Sequence, residues 1–405
     1  MKCLRLAAVM ISSAITLSAG AQSLWNRSHL ENLKRDIKQS CYAESFRNLL
    51  AEADSALNCR PLSVMDKFKA PASGDKHDYM SQARYAWADP TKPDGLPYIM
   101  RDGESNPELE RLDRVPLSTT TGRINNLALA YYLTGEEKYA AKAAELIRVW
   151  FLDPATRMNP NLEYAQVFPG HNGDKGRSYG LIDSYSFIDM VNAVPLLEGS
   201  ASFDTADSEA LKDWFRAFTR WMLTSEQGRE EDAGANNHSV AYDAQIIAYA
   251  LYTGDNETAE RVIAAFPKRR MYKQIDPDGR QPHELTRTRA FHYSWYNLTH
   301  FVDIMLMAKN MGKDISYVSS FDGRNLYRAL DFLIPYIVYG KEVWPYQEIG
   351  DWDEVVQNLV RDLYRTGAYL APGRKDYIKI YNEYGKYRPG ELFNLLYLDN
   401  CNTEE

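Results

Sequence analysis

The segment GANNHSVAYDAQ, residues 234–245, places two amides and an imidazole where apolar spacing predicts the start of a helix. If Asn236 is the N-cap residue, Asn237 and His238 lie in the first turn, where free backbone N–H groups and the positive end of the helix dipole favour anions. The same field disfavours a protonated imidazole, so we predict a neutral His238 that can act as a base. A helix cap with a neighbouring polar residue would also explain this local pattern.

The segment HELTRTRAFHYSWYN, residues 283–297, brings cationic and phenolic groups into one stretch. Arg289 and Tyr293 are four residues apart and share a helical face, and Arg287 lies near the predicted start of the same helix. Ion pairing with Glu284 or other acids would also explain the arginines. Core packing would also explain one tyrosine among 28.

A neutral histidine, an amide, an arginine and a tyrosine together suit β-elimination in a polysaccharide that contains uronic acid. The proton on C5 of a uronate is only weakly acidic, because the neighbouring carboxylate is already charged. Hydrogen bonds from Asn and Arg can neutralise that carboxylate as an enolate-like intermediate develops. His238 or an ionised Tyr293 can accept the C5 proton, and a tyrosine hydroxyl can protonate the leaving O4.

Other familiar catalytic motifs do not occur in the sequence. The seven histidines form no HExxH pattern, and there is neither a paired CxxC nor a regular Asp/Asn calcium loop, so we predict no metal site and no cofactor. GxSxG, P-loop and GxGxxG patterns are also missing. We assign structural roles to His292 and His300 and a loop position to His283.

Two other classes of protein are consistent with these residues. A glycoside hydrolase on an α/α toroid would need two carboxylates across the scissile bond. The candidates are Asp243, Glu284, Asp351 and Asp353. A non-catalytic glycan-binding protein would need neither an acid nor a base. The products separate these classes, since a hydrolase releases saturated sugars, a lyase releases unsaturated uronate, and a binding protein releases nothing.

The composition is that of a globular protein, with 45% hydrophobic and 25% charged residues. Residues 1–21 contain Lys2 and Arg5, then an apolar run and small residues, which predicts a signal peptide and a periplasmic or secreted location. No later segment is apolar for long enough to span a bilayer. The net charge of −8 disfavours nucleic acid as the main partner, although a locally basic cleft could bind a polyanion.

Helices are predicted to position the candidate residues, because apolar residues recur at helical spacing through most of the chain. Residues 129–151 and 247–266 resemble each other, and in each a helix stops at Thr-Gly, with Gly135 or Gly254 as the cap, before a second amphipathic helix. This repeated hairpin predicts an all-α fold and favours an α/α toroid built as an incomplete barrel of antiparallel helix hairpins, although the periodicity also fits an irregular all-α domain. Further helices are predicted at 186–197, 208–224, 290–311, 323–339 and 352–369.

Residues 22–405 are expected to form one domain, because no segment has the composition of a linker between folded units. Residues 22–70 are predicted to form an N-terminal helical lid or brace. Three cysteines follow the predicted signal peptide, so a disulfide such as Cys41–Cys59 could form, and the sequence decides neither the pairing nor the oligomeric state.

Five motifs, in this order along the chain, resemble the alginate lyase superfamily of polysaccharide lyases, family 38 more closely than family 5. They are KHDYMSQARYAWADPTKPDGLPYI, WFLDPATRMNPNLEYAQ, GRSYGLID, GANNHSVAYDAQ and ELTRTRAFHYSWYNL, and they lie within residues 75–350. The resemblance implies an α/α toroid whose groove binds an anionic polysaccharide that contains mannuronate or glucuronate. It also implies a catalytic site without an obligatory metal.

The resemblance further implies the catalytic residues Asn237, His238, Arg287 and Tyr293. The ELxR anchor selects Arg287 and the RAxHY anchor selects Arg289, so we take Arg287 as catalytic and Arg289 as a substrate contact. In such lyases Tyr293 would be the acid, and also the base for mannuronate, whose C5 proton and O4 lie on the same side of the ring. His238 would take the proton from glucuronate or guluronate. The matching loops supply the substrate-binding candidates Tyr79, Arg84, Gln166, Arg177 and Tyr242.

Overall fold

The computed structural model describes residues 24–386, 388 and 390–398, and the predicted signal peptide lies outside them. The α-helices of the described residues are α1 (Arg27–Asp36), α2 (Ala43–Leu57), α3 (Arg114–Thr134), α4 (Glu137–Ile147), α5 (Phe187–Ala193), α6 (Thr205–Thr224), α7 (Glu226–Asp232), α8 (Asn237–Thr253), α9 (Asn256–Phe266), α10 (Tyr272–Gln274), α11 (Pro282–Leu285), α12 (Ala290–Asn310), α13 (Leu326–Tyr339), α14 (Trp352–Arg365), α15 (Lys375–Tyr384) and α16 (Leu392–Leu396). None of these described helices has both the length and the apolarity needed to cross a membrane.

The strands are short and lie within the loops between helices. They are β1 (Met80–Gln82), β2 (Ala86–Trp87), β3 (Ile99–Met100) and β4 (Tyr164–Val167). Parallel pairing joins β1 to β4, and antiparallel pairing joins β2 to β3. The architecture is therefore dominated by helices, which confirms the predicted all-α class.

The two similar stretches of sequence form helical hairpins. Gly135 ends α3 with φ 73° and Gly254 ends α8 with φ 82°, and both backbones are in the left-handed region that glycine adopts without a steric penalty. The side chain of Asp255 then accepts a hydrogen bond from the backbone of Thr258 and caps the start of α9. The predicted short-looped hairpins are confirmed.

The core lies around α8, which packs against α6, α9 and α12. Every residue of α8 except His238 and Thr253 is buried, as expected for an inner helix that is enclosed on all sides. An aromatic cluster of Phe151, Phe187 and Trp214 lies beside it, with ring centroids 4.9 to 5.8 Å apart. This packing fixes the axis of α8 and therefore the place at which its first turn begins.

The N-terminal helices contact the outer helices of the fold. The hydroxyl of Tyr139 donates to Asp54 at 2.9 Å, and the ammonium of Lys142 donates to the carbonyl of Cys59 at 2.7 Å. No residue of 24–70 lines the large cavity described below. For the predicted segment 22–70 we therefore propose a brace rather than a lid.

The cysteines differ from the pairing considered above. Cys59 has a free thiol, whereas Cys41 is disulfide-bonded. A Cys41–Cys59 bridge is therefore not formed. The number of cysteines had allowed this pairing, but in the structure the disulfide of Cys41 does not involve Cys59.

Candidate active site

A cavity of about 550 Å³ opens at the N-terminal ends of α8 and α12. One side of it is formed by residues 84–106, here called the strap, which contain β2 and β3 and close on themselves through a 2.9 Å hydrogen bond from Asn106 N–H to the carbonyl of Arg84. The predicted site residues that line this cavity are Asn237, His238, Arg287, Tyr293, Arg84, Gln166 and Arg177. Segments far apart in sequence thus bring seven candidates to one space.

Asn237 is the first residue of α8 and is fully buried. Its backbone N–H donates to Glu284 Oε1 at 2.7 Å and its side-chain Nδ2 donates to Glu284 Oε2 at 2.9 Å. Asn236 is the N-cap residue, but its side chain makes no capping hydrogen bond, so Glu284 takes over part of that role. Burial raises the pKa of Glu284, and the hydrogen bonds from Asn237 oppose that rise.

The amide of Asn237 is held in one orientation by these two bonds. Its Oδ1 has no hydrogen-bond partner within the described structure. Because Nδ2 faces Glu284, the amide cannot rotate to exchange its two ends without losing a hydrogen bond to a buried carboxylate. The amide of this cavity-lining residue is therefore held in a fixed position.

His238 is held in a similar way from behind the cavity. Its Nδ1 lies 2.7 Å from Oε1 of Glu231, a residue of α7 that is 3% exposed. A carboxylate oxygen accepts hydrogen bonds, so Nδ1 is the protonated nitrogen in this contact, and in the neutral form of the imidazole Nε2 has the free lone pair. The ring of Tyr179 meets the imidazole edge-on, with the centroids 4.9 Å apart.

Tyr293 lies near the start of α12 and is 8% exposed. Its hydroxyl is 2.7 Å from the hydroxyl of Tyr85, and the guanidinium carbon of Arg287 lies 3.9 Å from the centre of its ring. Burial raises the pKa of the Tyr293 phenol well above its ordinary value, Tyr85 adds to this rise, and Arg287 opposes it. The phenol is therefore protonated in the free protein.

Arg287 is bound by the strap. Its Nη2 lies 2.6 Å from Asp102 Oδ1 and its Nε lies 3.3 Å from Asp102 Oδ2, the two-point geometry that guanidinium and carboxylate groups favour. Burial raises the pKa of Asp102, but hydrogen bonds and the charge of Arg287 lower it further, so the net shift is downward. Of the two arginines left open by the motifs, the structure brings Arg287 into the cavity and leaves Arg289 outside its lining.

Gln166 and Arg177 form one corner of the cavity. The side-chain Nε2 of Gln166 donates to Asp183 Oδ1 at 3.1 Å, and Arg177 Nε donates to the backbone carbonyl of Gln166 at 3.2 Å. The guanidinium of Arg177 also lies 5.5 Å from the ring centre of Phe168 and 5.4 Å from that of Tyr179. Burial lowers the pKa of Arg177. Both side chains can offer hydrogen bonds to an anionic or hydroxylated ligand.

Three predicted binding residues lie behind the lining. The hydroxyl of Tyr79 donates to Asp183 at 3.1 Å, and that of Tyr242 donates to the carbonyl of Met222 at 3.0 Å. Both tyrosines are buried, and their hydroxyls are used within the fold. Arg289 is the N-cap residue of α12, and its backbone pairs with that of Glu348. None of the three lines the cavity.

Sequence reasoning missed other polar residues of the site. His292 had been given a structural role, yet it lines the cavity, and burial together with the charges of Arg289, Arg84 and Arg287 lowers its pKa to about 4. Its place beside Tyr293 was a signal that could have been used. Glu231, Tyr85 and Asp102 offered no such signal, because each belongs to a different element from the residue it binds.

The carboxylates proposed for a hydrolase do not meet across this cavity. Asp243 is buried in an ion pair with Arg270, with Oδ2 2.8 Å from Nε. Glu284 is used by Asn237, and Asp351 caps α14. None of these, nor Asp353, lines the cavity, whose carboxylates among the described residues are Asp102 and Glu354. No cluster of three or more His, Cys, Asp or Glu side chains suited to a metal ion occurs in the described part of the chain.

Comparisons with known proteins give one family. Residues 63–344 match the sequence model of the alginate lyase family. An alginate lyase from Bacteroides ovatus is 43% identical, with a TM-score of 0.91 over 93% of this chain and 99% of its own. Curated protein sequences give no match.

More distant solved structures share the fold. Alginate lyase A1-III from Sphingomonas species A1 is 16% identical, with a TM-score of 0.52 over 91% of this chain and 99% of its own. A variant of A1-III in complex with a tetrasaccharide is 15% identical, with a TM-score of 0.62 over 95% of this chain and 98% of its own. At this level of identity the likeness concerns the fold alone.

The family assignment rests on the match over residues 63–344, which is more than half of the 405 residues, and on the similarity to the Bacteroides ovatus enzyme. The predicted α/α toroid is confirmed by the same structural match. The resemblance found in the five sequence motifs is likewise confirmed. The chain therefore belongs to the alginate lyase family and is a polysaccharide lyase.

Proposed function

We propose that this lyase cleaves chains that contain uronic acid by β-elimination and leaves a 4,5-unsaturated uronate at the new end. The observation that carries this proposal is the convergence of Asn237, His238, Arg287 and Tyr293 in one cavity. The 43% identical enzyme from Bacteroides ovatus is an alginate lyase, and alginate is an acidic polysaccharide, so we infer an anionic substrate here. The predicted signal peptide supports a periplasmic or secreted location.

The first requirement of the reaction is to neutralise the uronate carboxylate. Arg287 offers guanidinium N–H groups, and Asn237 has a second Nδ2–H besides the one that it donates to Glu284. Both lie in place before the substrate arrives, so little reorganisation accompanies the build-up of charge as C5 loses its proton. The C5 proton becomes more acidic as the carboxylate charge is dispersed.

The second requirement is a base at C5 and an acid at O4. The C5–H bond breaks, the C4–O4 bond breaks, a C4=C5 double bond forms, and O4 gains a proton. The protonated phenol of Tyr293 suits the transfer to O4, and the free Nε2 of His238 suits acceptance from C5. For mannuronate, Tyr293 could accept the C5 proton after ionisation, which the nearby Arg287 favours.

Neighbouring uronate units need further contacts along the cavity. Arg84, Gln166 and Arg177 line it together with the four proposed catalytic residues. Two cations and an amide suit carboxylates and hydroxyls of a bound chain, and we propose them as substrate-binding residues. Tyr79, Tyr242 and Arg289 are not included, because they do not reach the cavity.

The test is incubation of the purified protein with polymannuronate, glucuronan and alginate while ultraviolet absorbance is followed. A rise in absorbance from unsaturated uronate is the expected result on at least one of these polymers. Reducing sugar without a rise in absorbance would instead indicate a hydrolase. Binding without either product would indicate a glycan-binding protein.

A further inference from the structure

The strap meets the other side of the cavity through the phenol of Tyr85, which contacts Tyr293, and through the carboxylate of Asp102. Asp102 binds Arg287 at two points, and it also accepts a 3.0 Å hydrogen bond from the hydroxyl of Thr288. The ion pair is partly open to the cavity, since the side chains of Arg287 and Asp102 are 24% and 33% exposed. Asp102 therefore both holds Arg287 and faces the space that a ligand would fill.

We propose that Asp102 is a specificity-determining residue whose carboxylate occupies, on Arg287, the position that the carboxylate of a bound uronate takes. A ligand must then carry a carboxylate of its own to replace Asp102. This inference rests on the proposed function, because it requires Arg287 to bind the substrate carboxylate.

The geometry of the pair supports such an exchange. Asp102 presents two oxygens to Nη2 and Nε of Arg287, and the carboxylate on C5 of a uronate has the same planar shape and charge. Because water screens a pair of this exposure, replacing one carboxylate by another costs little free energy. A neutral sugar has hydroxyls alone, and these cannot replace a charge-assisted, two-point contact.

The exchange also preserves the surroundings of Tyr293. The groups that face this phenol are Tyr85, Arg287, Asp102 and His292, whose ring centroid is 5.2 Å away. If a uronate replaces Asp102, Arg287 keeps one negative partner and the field at Tyr293 is unchanged. A neutral ligand that displaced Asp102 would leave Arg287 without a counter-charge in a partly buried place.

The contrast with the buried carboxylates strengthens the assignment. Glu231 and Glu284 are 3% and 1% exposed, so a ligand in the cavity cannot take their places. Asp102 instead lines the cavity itself. Of the three carboxylates that bind proposed catalytic side chains, Asp102 is the one that a substrate can reach.

The experiment measures binding of a mannuronate tetrasaccharide by calorimetry, with Tyr293→Phe as the background so that the ligand is not cleaved. Adding Asp102→Asn should tighten binding roughly twofold to fivefold, the range expected for releasing a partly exposed ion pair. A neutral cellotetraose should bind weakly to both proteins. The matched control is Glu104→Gln, which removes a strap carboxylate that pairs with Arg101 at 3.9 Å outside the cavity and should not change binding.

Weaker or unchanged binding of the tetrasaccharide after Asp102→Asn would overturn the proposal and leave Asp102 as a support for the strap. If the Asn variant does not fold, Thr288→Val provides a second measurement. This change removes the hydrogen bond from the Thr288 hydroxyl to Asp102 Oδ2, so Asp102 is held less firmly beside Arg287. Tighter uronate binding is expected, and no change would count against the exchange. This inference alone fails if uronans are cleaved and Arg287→Lys weakens binding, but neither Asp102→Asn nor Thr288→Val tightens it. The proposed function fails if no uronan is cleaved.

Discussion

The two walls of the cavity hold their side chains in opposite ways. On the α8 wall, Asn237 and His238 are fixed from behind by buried carboxylates. On the α12 wall, Arg287 and Tyr293 are bound from the front by groups of the strap, a carboxylate and a phenol that face the cavity. The first wall is thus set by the protein interior, and the second by groups that a substrate can touch.

This difference separates side chains that must stay fixed from a side chain whose partner the substrate replaces in our proposal. In the proposed mechanism, the base and the amide that act on C5 and its carboxylate need fixed positions before the substrate arrives, and buried partners provide them. An arginine that binds the substrate carboxylate needs a partner that can be replaced. A buried partner would make that replacement costly, whereas a partly exposed one does not.

Tyr293→Phe should have the largest effect on the α12 wall. The change removes the hydroxyl and keeps the ring beneath Arg287, so the fold and substrate binding should persist while turnover falls by about 10²- to 10⁴-fold, the usual contribution of a proton-transfer group. Absorbance of unsaturated uronate measures turnover, and Tyr317→Phe at an exposed position is the matched control. Near-normal turnover would remove Tyr293 from the mechanism.

Glu231→Gln should have the next largest effect and tests the α8 wall. A neutral amide cannot stabilise the imidazolium that forms when His238 accepts a proton. A general base accelerates such a step by about 10²- to 10⁴-fold, and the variant should lose part of that acceleration. The loss should be greater on glucuronan than on polymannuronate, because His238 is the proposed base for the former. Equal losses on both polymers would show that His238 does not distinguish them.

The same carboxylate-to-amide change on each wall should have unequal effects on stability. In Glu284→Gln one oxygen must serve two donors of Asn237, so unfolding free energy should fall by about 1–3 kcal/mol, the cost of a buried unsatisfied group. In Asp102→Asn the change should stay within about 1 kcal/mol, because the ion pair is partly exposed. Urea denaturation measures both values. Equal losses would contradict the distinction between the two walls.

His292→Gln should have the smallest effect. Because burial and nearby arginines lower the pKa of His292 to about 4, the imidazole is neutral at every pH above 5 and does not titrate between pH 5 and 8. The shape of the pH–rate profile on a uronan should therefore stay the same over that range, even if KM changes. A shifted limb of the profile would assign a proton-transfer role to this second imidazole.

Local sequence was sufficient for most of the helices. The start of α12 at Ala290 and the stops of α3 and α8 at Gly135 and Gly254 follow from apolar spacing and from glycine caps, which depend on neighbours within a few residues. The same local signals placed Asn237 and His238 in a first turn, where the structure has them. The role of Asn236 was only half predicted, since it occupies the N-cap position without a capping bond.

The chemical types at the site could also be predicted from the sequence, because a histidine, an amide, an arginine and a tyrosine suggest proton transfer beside a carboxylate. The sequence did not predict which of these side chains meet in the cavity. Tyr79 and Tyr242 are as polar as Tyr293, yet their hydroxyls bind groups inside the fold. Exposure to a cavity depends on the direction of a side chain after packing, and composition and spacing do not carry that information.

The sequence by itself determined the helices, their caps and the stock of reactive side chains, because these depend on residues that are close along the chain. The tertiary structure alone decided the partners. Glu284 is 47 residues from Asn237, and Asp102 is 185 residues from Arg287. Contacts over such separations form when helices and strap pack together, so only the folded chain brings Arg287 rather than Arg289 to the cavity. The same packing gives Asn237 and His238 buried partners and gives Arg287 and Tyr293 partners that face the cavity.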